Sequence, residues 1–241
     1  MDARAALSLS PSPSMDATRS ASDMTRLPFL LPLRREKQIQ TPATMAKTPS
    51  RETSATTGAT ADGIAAAARK AGRRGPPPVH LWDPPFCGDL DMRIARDGTW
   101  CYLGTPIGRE GLVRLFSSII RKDGDDYFLV TPVEKVGIQV EDAPFVAVDF
   151  EPVPDGLQFM TNVGDRVVAG PDHPIRVVRD AATGEPSPYV LVRHNLEALI
   201  DRKSFYRLVD LGEVRPHDGA DWFGVVSGGV FFPIIPADEL P

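Results

Sequence analysis

The sequence predicts an α+β protein: a disordered N-terminal tail, then two related halves, each a mostly antiparallel sheet with one helix. Three observations carry this expectation. The composition breaks sharply near residue 78. Beyond it, short strand-like runs separated by turn residues far outnumber helical stripes. The order hairpin, helix, strand is also met twice along the chain.

Residues 1–78 contain twelve Lys/Arg and six Asp/Glu, a net charge of +6, scattered among Ser, Thr, Ala and Pro. That composition cannot bury enough apolar surface to offset chain entropy, so the segment is expected to stay disordered. Residues 63–70 have helical character, but a stretch so short has little to bury. Pro76-Pro77-Pro78 closes the tail as an extended hinge. Residues 79–241 contain fifteen Lys/Arg and twenty-six Asp/Glu, a net of −11. A module of that charge repels phosphate backbones, so nucleic acid is not an expected partner of the folded part. No apolar run approaches the length of a membrane span, and residues 27–33 are broken by Pro28 and Pro32. A cytoplasmic location with no membrane contact is the expectation.

In the first half, residues 79–165, runs at 92–96 and 100–103 flank Asp97-Gly98, a strong hairpin signal because both turn residues accept positive φ. Leu112, Leu115, Phe116 and Ile119 fall at i, i+3, i+4 and i+7, one face of a helix. Asp123-Gly124 reads as its exit. Strands follow at 127–131, 136–140, 145–151 and 157–161, the last two turned by Asp155-Gly156. The second half, residues 166–241, repeats the theme. Strands are read at 175–179 and 189–193, a helical stripe at Leu196, Leu199 and Ile200, and strands at 205–211, 222–226 and 230–235. Residues 92–96 align with 175–179, and the two helical stripes align with each other, at a spacing of about 80 residues.

No established catalytic motif is present. There is no glycine-rich phosphate loop and no spaced-glycine dinucleotide fingerprint. Ser227-Gly228-Gly229 lacks the flanking glycine of a nucleophile elbow and reads as a hairpin turn. Cys87 and Cys101 are widely spaced, and His80, His173, His194 and His217 have no partner at ligand spacing. Neither metal nor cofactor is expected.

The run Thr131-Pro132-Val133-Glu134-Lys135 places a hydroxyl, a carboxylate and an ammonium at the end of a buried strand, where small-ligand sites often form. Asn162 and Asp165 flank Gly164 in a second polar corner. Arg93 alternates with Arg96 on one strand as Arg176 does with Arg179 on another, and a face shared between the halves would gather four guanidiniums. Asp89, Asp91 and Glu134 are the carboxylates that an alternative reading, a small hydrolase or isomerase, would use as acid–base groups.

Several unusual runs occur here in the order found in the bacterial domain-of-unknown-function family 1285, which the chain resembles over residues 76–241. They are Pro84-Pro85-Phe86-Cys87-Gly88-Asp89-Leu90-Asp91-Met92-Arg93-Ile94, Asp97-Gly98-Thr99-Trp100, Thr131-Pro132-Val133-Glu134-Lys135-Val136-Gly137, Thr161-Asn162-Val163-Gly164-Asp165 and Ser227-Gly228-Gly229-Val230-Phe231-Phe232-Pro233. The resemblance implies a duplicated module whose second half is pleckstrin-homology-like. It also implies a signalling role through a ligand, nucleotide-derived among the candidates, bound between the halves. It carries no catalytic residues. The leading expectation is therefore a ligand-binding module for an unknown small molecule, with its site at the junction and drawn from Thr131, Glu134, Lys135, Asn162, Asp165 and Arg93.

Overall fold

The structure, a computed structural model, describes residues 59–72 and 77–240. Helix α1 (Ala61–Ala71) opens it. The Thr60 hydroxyl accepts from Gly63 N at 3.2 Å and caps the helix. Ala61, Ile64, Ala65 and Ala68 form its buried stripe, and α1 lies against α2 (Glu110–Ser118). This corrects the expectation that residues 63–70 belong to a disordered tail. A helix of this length is marginal alone and is held by packing, and the partner surface was not legible in a segment read by composition. The tail expectation for residues 1–58 lies outside the described residues.

The first sheet comprises β1 (Phe86–Ile94), β2 (Trp100–Tyr102), β3 (Thr105–Pro106), β4 (Ile120–Asp123), β5 (Asp126–Val130) and β6 (Lys135–Val140), in the spatial order β3-β2-β1-β6-β5-β4. All neighbours are antiparallel except β1 and β6. At the β1–β2 turn the Asp97 carboxylate accepts from Thr99 N at 2.9 Å, and Gly98 has φ +84°. Helix α2 is shorter than its stripe suggests. Val130 N donates to Ile119 O at 2.9 Å and Ile120 pairs with Leu129, so strand pairing takes the chain over, and Asp123-Gly124 turns a hairpin instead of ending a helix.

The second sheet has β7 (Phe145–Val153), β8 (Gly156–Thr161), β9 (Arg166–Val168), β10 (Ile175–Arg179), β11 (Pro186–Arg193) and β12 (Leu196–Ile200), in the order β10-β11-β12-β7-β8-β9. Again one pair, β7 with β12, is parallel and the rest are antiparallel. Each sheet is thus two three-stranded meanders joined through its first and last strands. The halves are alike, but their register differs from the sequence alignment: β7 starting at Phe145 matches β1 starting at Phe86. The chain passes from one sheet to the next at residues 141–144, whereas the sequence division falls at 165/166, because the turn at Asn162–Gly164 reads as a boundary yet lies inside the second sheet's meander.

Two elements of the second half exchange type relative to the sequence reading. Residues 196–200 are strand β12, with Leu196, Ala198 and Ile200 buried on alternate positions. The strand expected at 205–211 is not formed: residues 202–209 are helix α3 (Arg202–Val209). Leu196, Leu199 and Ile200 fit a helical period as well as a strand period over so short a run. The Asp201 carboxylate, accepting from Ser204 N at 2.7 Å, sets where the helix begins.

A third sheet of β13 (Glu213–His217), β14 (Ala220–Ser227) and β15 (Val230–Pro236) is fully antiparallel. Its tight turn is pinned to the second sheet. The buried Ser227 hydroxyl donates to Ala169 O at 2.7 Å and accepts from Leu157 N at 2.8 Å. Gly228, at φ +57°, lies so close that a Cβ there would meet Ala169 O at 2.7 Å. One continuous apolar core runs through all of this, including Ile64, Trp100, Phe116, Phe145, Phe159 and Leu208.

Because Ile64 is fully buried in α1, Ile64→Ala should destabilise the whole chain by about 2–5 kcal/mol in urea unfolding. An unchanged midpoint would show that α1 is not part of the cooperative unit.

Candidate functional site

The seam between the two halves is polar and closely bonded. Asp142, in the connector between the sheets, accepts a hydrogen bond from the Tyr189 hydroxyl at 2.7 Å and forms an ion pair with Arg96 Nε at 3.3 Å. Arg96 also donates from its backbone N to Glu141 at 2.9 Å and from Nη2 to Ser187 Oγ at 2.9 Å, reaching from the first half to the second. Burial, with the Asp142 carboxylate as hydrogen-bond partner and nearby charge, pushes the Tyr189 phenol up to about 12.

Arg193 makes a second crossing. Its guanidinium donates to Asp165 at 2.6 Å and to Ser117 O of α2 at 2.6 Å, and lies over the Phe145 ring at 4.7 Å. Asn162 makes a third: Nδ2 donates to Gly98 O at 3.2 Å and Oδ1 accepts from Val146 N at 3.0 Å. A Cβ at Gly98 would stand 2.5 Å from Asn162 Nδ2, so only glycine lets the first hairpin seat here. Two of the residues singled out from the sequence, Asn162 and Asp165, therefore sit on the seam with their side chains engaged in holding it.

Beside these crossings lies a cleft of about 380 Å³. Arg96 is its contribution from the first half. The second half supplies Ser187 between Pro186 and Pro188, the end of β12, and the start of α3 with Arg202, Phe205 and Tyr206. Arg202 Nε donates to the Tyr206 hydroxyl at 2.8 Å, and both side chains are exposed. Of the two carboxylates on the wall, Glu185 and Asp201, the second is committed to capping α3. The lining thus offers two guanidiniums, the hydroxyls of Ser187 and Tyr206, the rings of Phe205 and Tyr206, and the Glu185 carboxylate. Arg96, Arg202 and Tyr206 are not among the candidates from sequence: Arg96 reads as one of a set of strand arginines, Arg202 falls between the expected helical stripe and the next strand, and Tyr206 falls in the expected strand at 205–211.

The remaining candidates belong to the first sheet and do not line this cleft: Thr131 and Glu134 sit in the β5–β6 turn, Lys135 opens β6 and Arg93 is in β1. Thr131 is fully buried, and its hydroxyl accepts from Glu134 N at 3.2 Å, donates to Glu134 O at 3.3 Å and so staples the β5–β6 turn. Lys135 bonds Asp123 at 2.7 Å and lies 3.9 Å above the Phe128 ring. The Asp123 carboxyl is raised by burial but lowered more by Arg121 and Lys135, and ends below the usual carboxylate range. Lys135 shares a cavity of about 440 Å³ with Asp89, Phe86 and Phe128; Asp91 and Glu134 do not line it, so the three carboxylates of the hydrolase reading do not converge there. The four strand arginines do not line one cavity, although Arg93 shares Glu141 with Arg96 and Arg176 lies 4.4 Å from the Tyr189 ring. Arg93 pairs with Glu141, Arg176 with Glu197 and Arg179 with Glu239, and only Arg96 turns to the seam cleft.

Among the described residues no group of three or more His, Cys, Asp or Glu side chains is placed to hold a metal ion, and no helix is long and apolar enough to cross a membrane.

Fold and seam together define a duplicated α+β module with a cleft between its repeats. Two family models match it: the N-terminal domain of the domain of unknown function DUF1285 over residues 77–143, and the C-terminal domain of DUF1285 over residues 144–234. The chain belongs to the DUF1285 family. Their shared boundary coincides with the passage between the sheets. A crystal structure of a DUF1285 family protein from Silicibacter pomeroyi DSS-3 is 62% identical, covers 75% of this chain and 98% of its own, and superposes with a TM-score of 0.67. A second, from Shewanella baltica OS155, is 33% identical over 50% of this chain and 91% of its own, with a TM-score of 0.41. No curated protein matches the chain.

The seam is testable through its phenol. With Tyr189 ionising near 12, its neutral form is favoured by folding; that contribution is complete below about pH 10 and is lost as pH rises through the folded value. Absorbance titration of tyrosinate should show one late-ionising phenol, and Asp142→Asn should bring it back toward the ordinary range. A late phase left unchanged in Asp142→Asn would assign the whole effect to burial and none to the Asp142–Tyr189 bond.

Proposed function

We propose that the chain is a non-catalytic binding module for a small anionic ligand with an aromatic part, the description that nucleotides and their derivatives fit, held in the seam cleft. The observation that carries this reading is the convergence of Arg96, from the first half, with Ser187, Arg202 and Tyr206, from the second, around one cavity of about 380 Å³. Guanidiniums recognise phosphate and carboxylate oxygens bidentately. An exposed tyrosine beside two prolines provides a flat apolar surface for a ring. The cavity volume is within the range of small-molecule sites.

A ligand in this cleft touches both repeats, so its binding alters how firmly they are coupled, which suits a signalling role. The module's acidic charge keeps nucleic acid from being its ligand. A cytoplasmic setting belongs to the same reading, supported by the two free thiols of Cys87 and Cys101.

The test is a thermal-shift and calorimetric screen of the full chain against mononucleotides, dinucleotides and cyclic nucleotides. A binder should raise Tm, and Arg96→Ala and Arg202→Ala should each weaken it by about tenfold or more, in line with one lost charge-assisted contact. Lys135→Ala, on the outer sheet face, should leave that affinity unchanged. Loss of binding in Lys135→Ala with both arginine variants unaffected would move the site to the 440 Å³ cavity and contradict the proposal.

A further inference from the structure

One face of the first sheet carries aromatic and charged side chains that the seam does not use. Cross-strand partners in a sheet point to the same side. The register sets Phe86 beside Lys135, both Asp89 and Phe128 beside Gly137, and Asp126 beside Asp123. A bulge with Gly88 at φ +93° inserts one residue in β1, which turns Phe86 and Asp89 to the same face. Gly137 makes room for them: a Cβ there would overlap the Asp89 carboxylate and meet the Phe86 ring at 3.8 Å. Phe86 and Phe128 stand edge to face, with centroids 6.1 Å apart. Phe86 is still 57% exposed, an open aromatic surface next to a carboxylate.

These groups line the cavity of about 440 Å³ together with Asp126 and Lys135. Lys135 shows what the face attracts. Its ammonium bonds Asp123 at 2.7 Å and lies 3.9 Å above the Phe128 ring, so the chain itself sets a cation between a carboxylate and an aromatic ring. Asp89 and Phe86, side by side over Gly137, repeat the carboxylate and the ring without the cation. Arg121 also pairs with Asp123, at 2.8 Å. Among the described residues Asp89 and Asp126 have no ion-pair or side-chain hydrogen-bond partner. Three carboxylates on this face therefore meet two cations, and both cations are committed to Asp123. A cation beside Asp89 and Phe86 is attracted by the charge of one and the quadrupole of the other. An anion would be repelled by the two unpaired carboxylates, and a neutral ligand would leave them unpaired.

We propose that this cavity binds an organic cation, an alkylammonium or guanidinium group held by the Asp89 carboxylate and the Phe86 ring, with Asp126 adding a second negative charge. It shares no lining residue with the cleft of Arg96 and Arg202 and selects the opposite charge, so either site stands or falls without the other.

The experiment is isothermal titration of the full chain with agmatine and with Nα-acetylarginine amide at low ionic strength, with butylurea as the uncharged control. The cations should bind saturably and butylurea should not. Asp89→Asn should weaken binding by about tenfold or more, and Phe86→Ala by about threefold or more. Both side chains are exposed, so Tm should stay near that of the parent chain, which separates loss of the site from loss of the fold. Lys135→Ala should instead tighten binding by about threefold or more, because it removes the competing ammonium from the Phe128 ring and from Asp123. The two probes identify the source of the cation. Equal binding of both assigns a side chain of a peptide, and binding of agmatine alone assigns a free small molecule. No saturable binding of either cation, equal binding of butylurea, unchanged affinity in Asp89→Asn, or weaker binding in Lys135→Ala would overturn the proposal.

Discussion

The seam depends on the Asp142 carboxylate. It stands in the short connector between the two sheets, accepts from the Tyr189 hydroxyl and faces Arg96. Without it, Arg96 would lose the anchor that holds its guanidinium across the gap toward Ser187, and the cleft would lose the only side chain it draws from the first half. A carboxylate drawn partly out of water is tolerated when it is paired, and Asp142 is half-buried, with Oδ1 hydrogen-bonded by Tyr189 and Oδ2 held by the ion pair with Arg96 alone. The same bonds that make Asp142 tolerable therefore fix the relative placement of the repeats. Arg193 and Asn162 add crossings of the same kind, each linking a polar group of one repeat to a main-chain carbonyl of the other.

The repeat itself explains why a cleft forms there. Each six-stranded sheet joins its two meanders through one parallel pair, β1 with β6 and β7 with β12. The first and last strands of each six-stranded sheet consequently lie at its centre, and the chain leaves the first sheet and enters the second from central strands. The connector is short, and the β1–β2 hairpin of one repeat, at Gly98 and Arg96, is brought against the turn at Asn162 and the start of β11 at Ser187 in the other. Side chains from residues far apart in sequence meet along that line.

Much of this was legible from the sequence, and the misreadings have identifiable causes. The hairpins at Asp97-Gly98, Asp155-Gly156 and Gly228-Gly229 were readable because positive φ at glycine is a local requirement, and all four glycines have it. The duplication was readable as a theme but not in its register, because topology and not residue similarity carries it. Residues 196–200 form a strand instead of the expected helical stripe because three apolar residues satisfy both periods, and the parallel partner β7 that decides the matter lies about fifty residues upstream; the strand expected at 205–211 gives way to α3, which begins at the Asp201 cap. Asn162 and Asp165 stood out as a polar corner, and their place on the seam follows from partners, Gly98 and Arg193, that no local pattern specifies. Arg96 and Arg202 were beyond reach for the same reason: each is ordinary in its own stretch of chain and gains meaning only from its neighbour across the seam.

The central claim is that one ligand engages both repeats at once, and hydrogen–deuterium exchange tests it most directly. The full chain would be compared with and without the nucleotide that most raises its Tm. Amide protection should rise together at residues 95–98 of the first repeat and at 185–188 and 200–206 of the second, the segments that border the cleft. Protection confined to a single repeat, or centred on the outer face around Phe86, Phe128 and Lys135, would contradict the account.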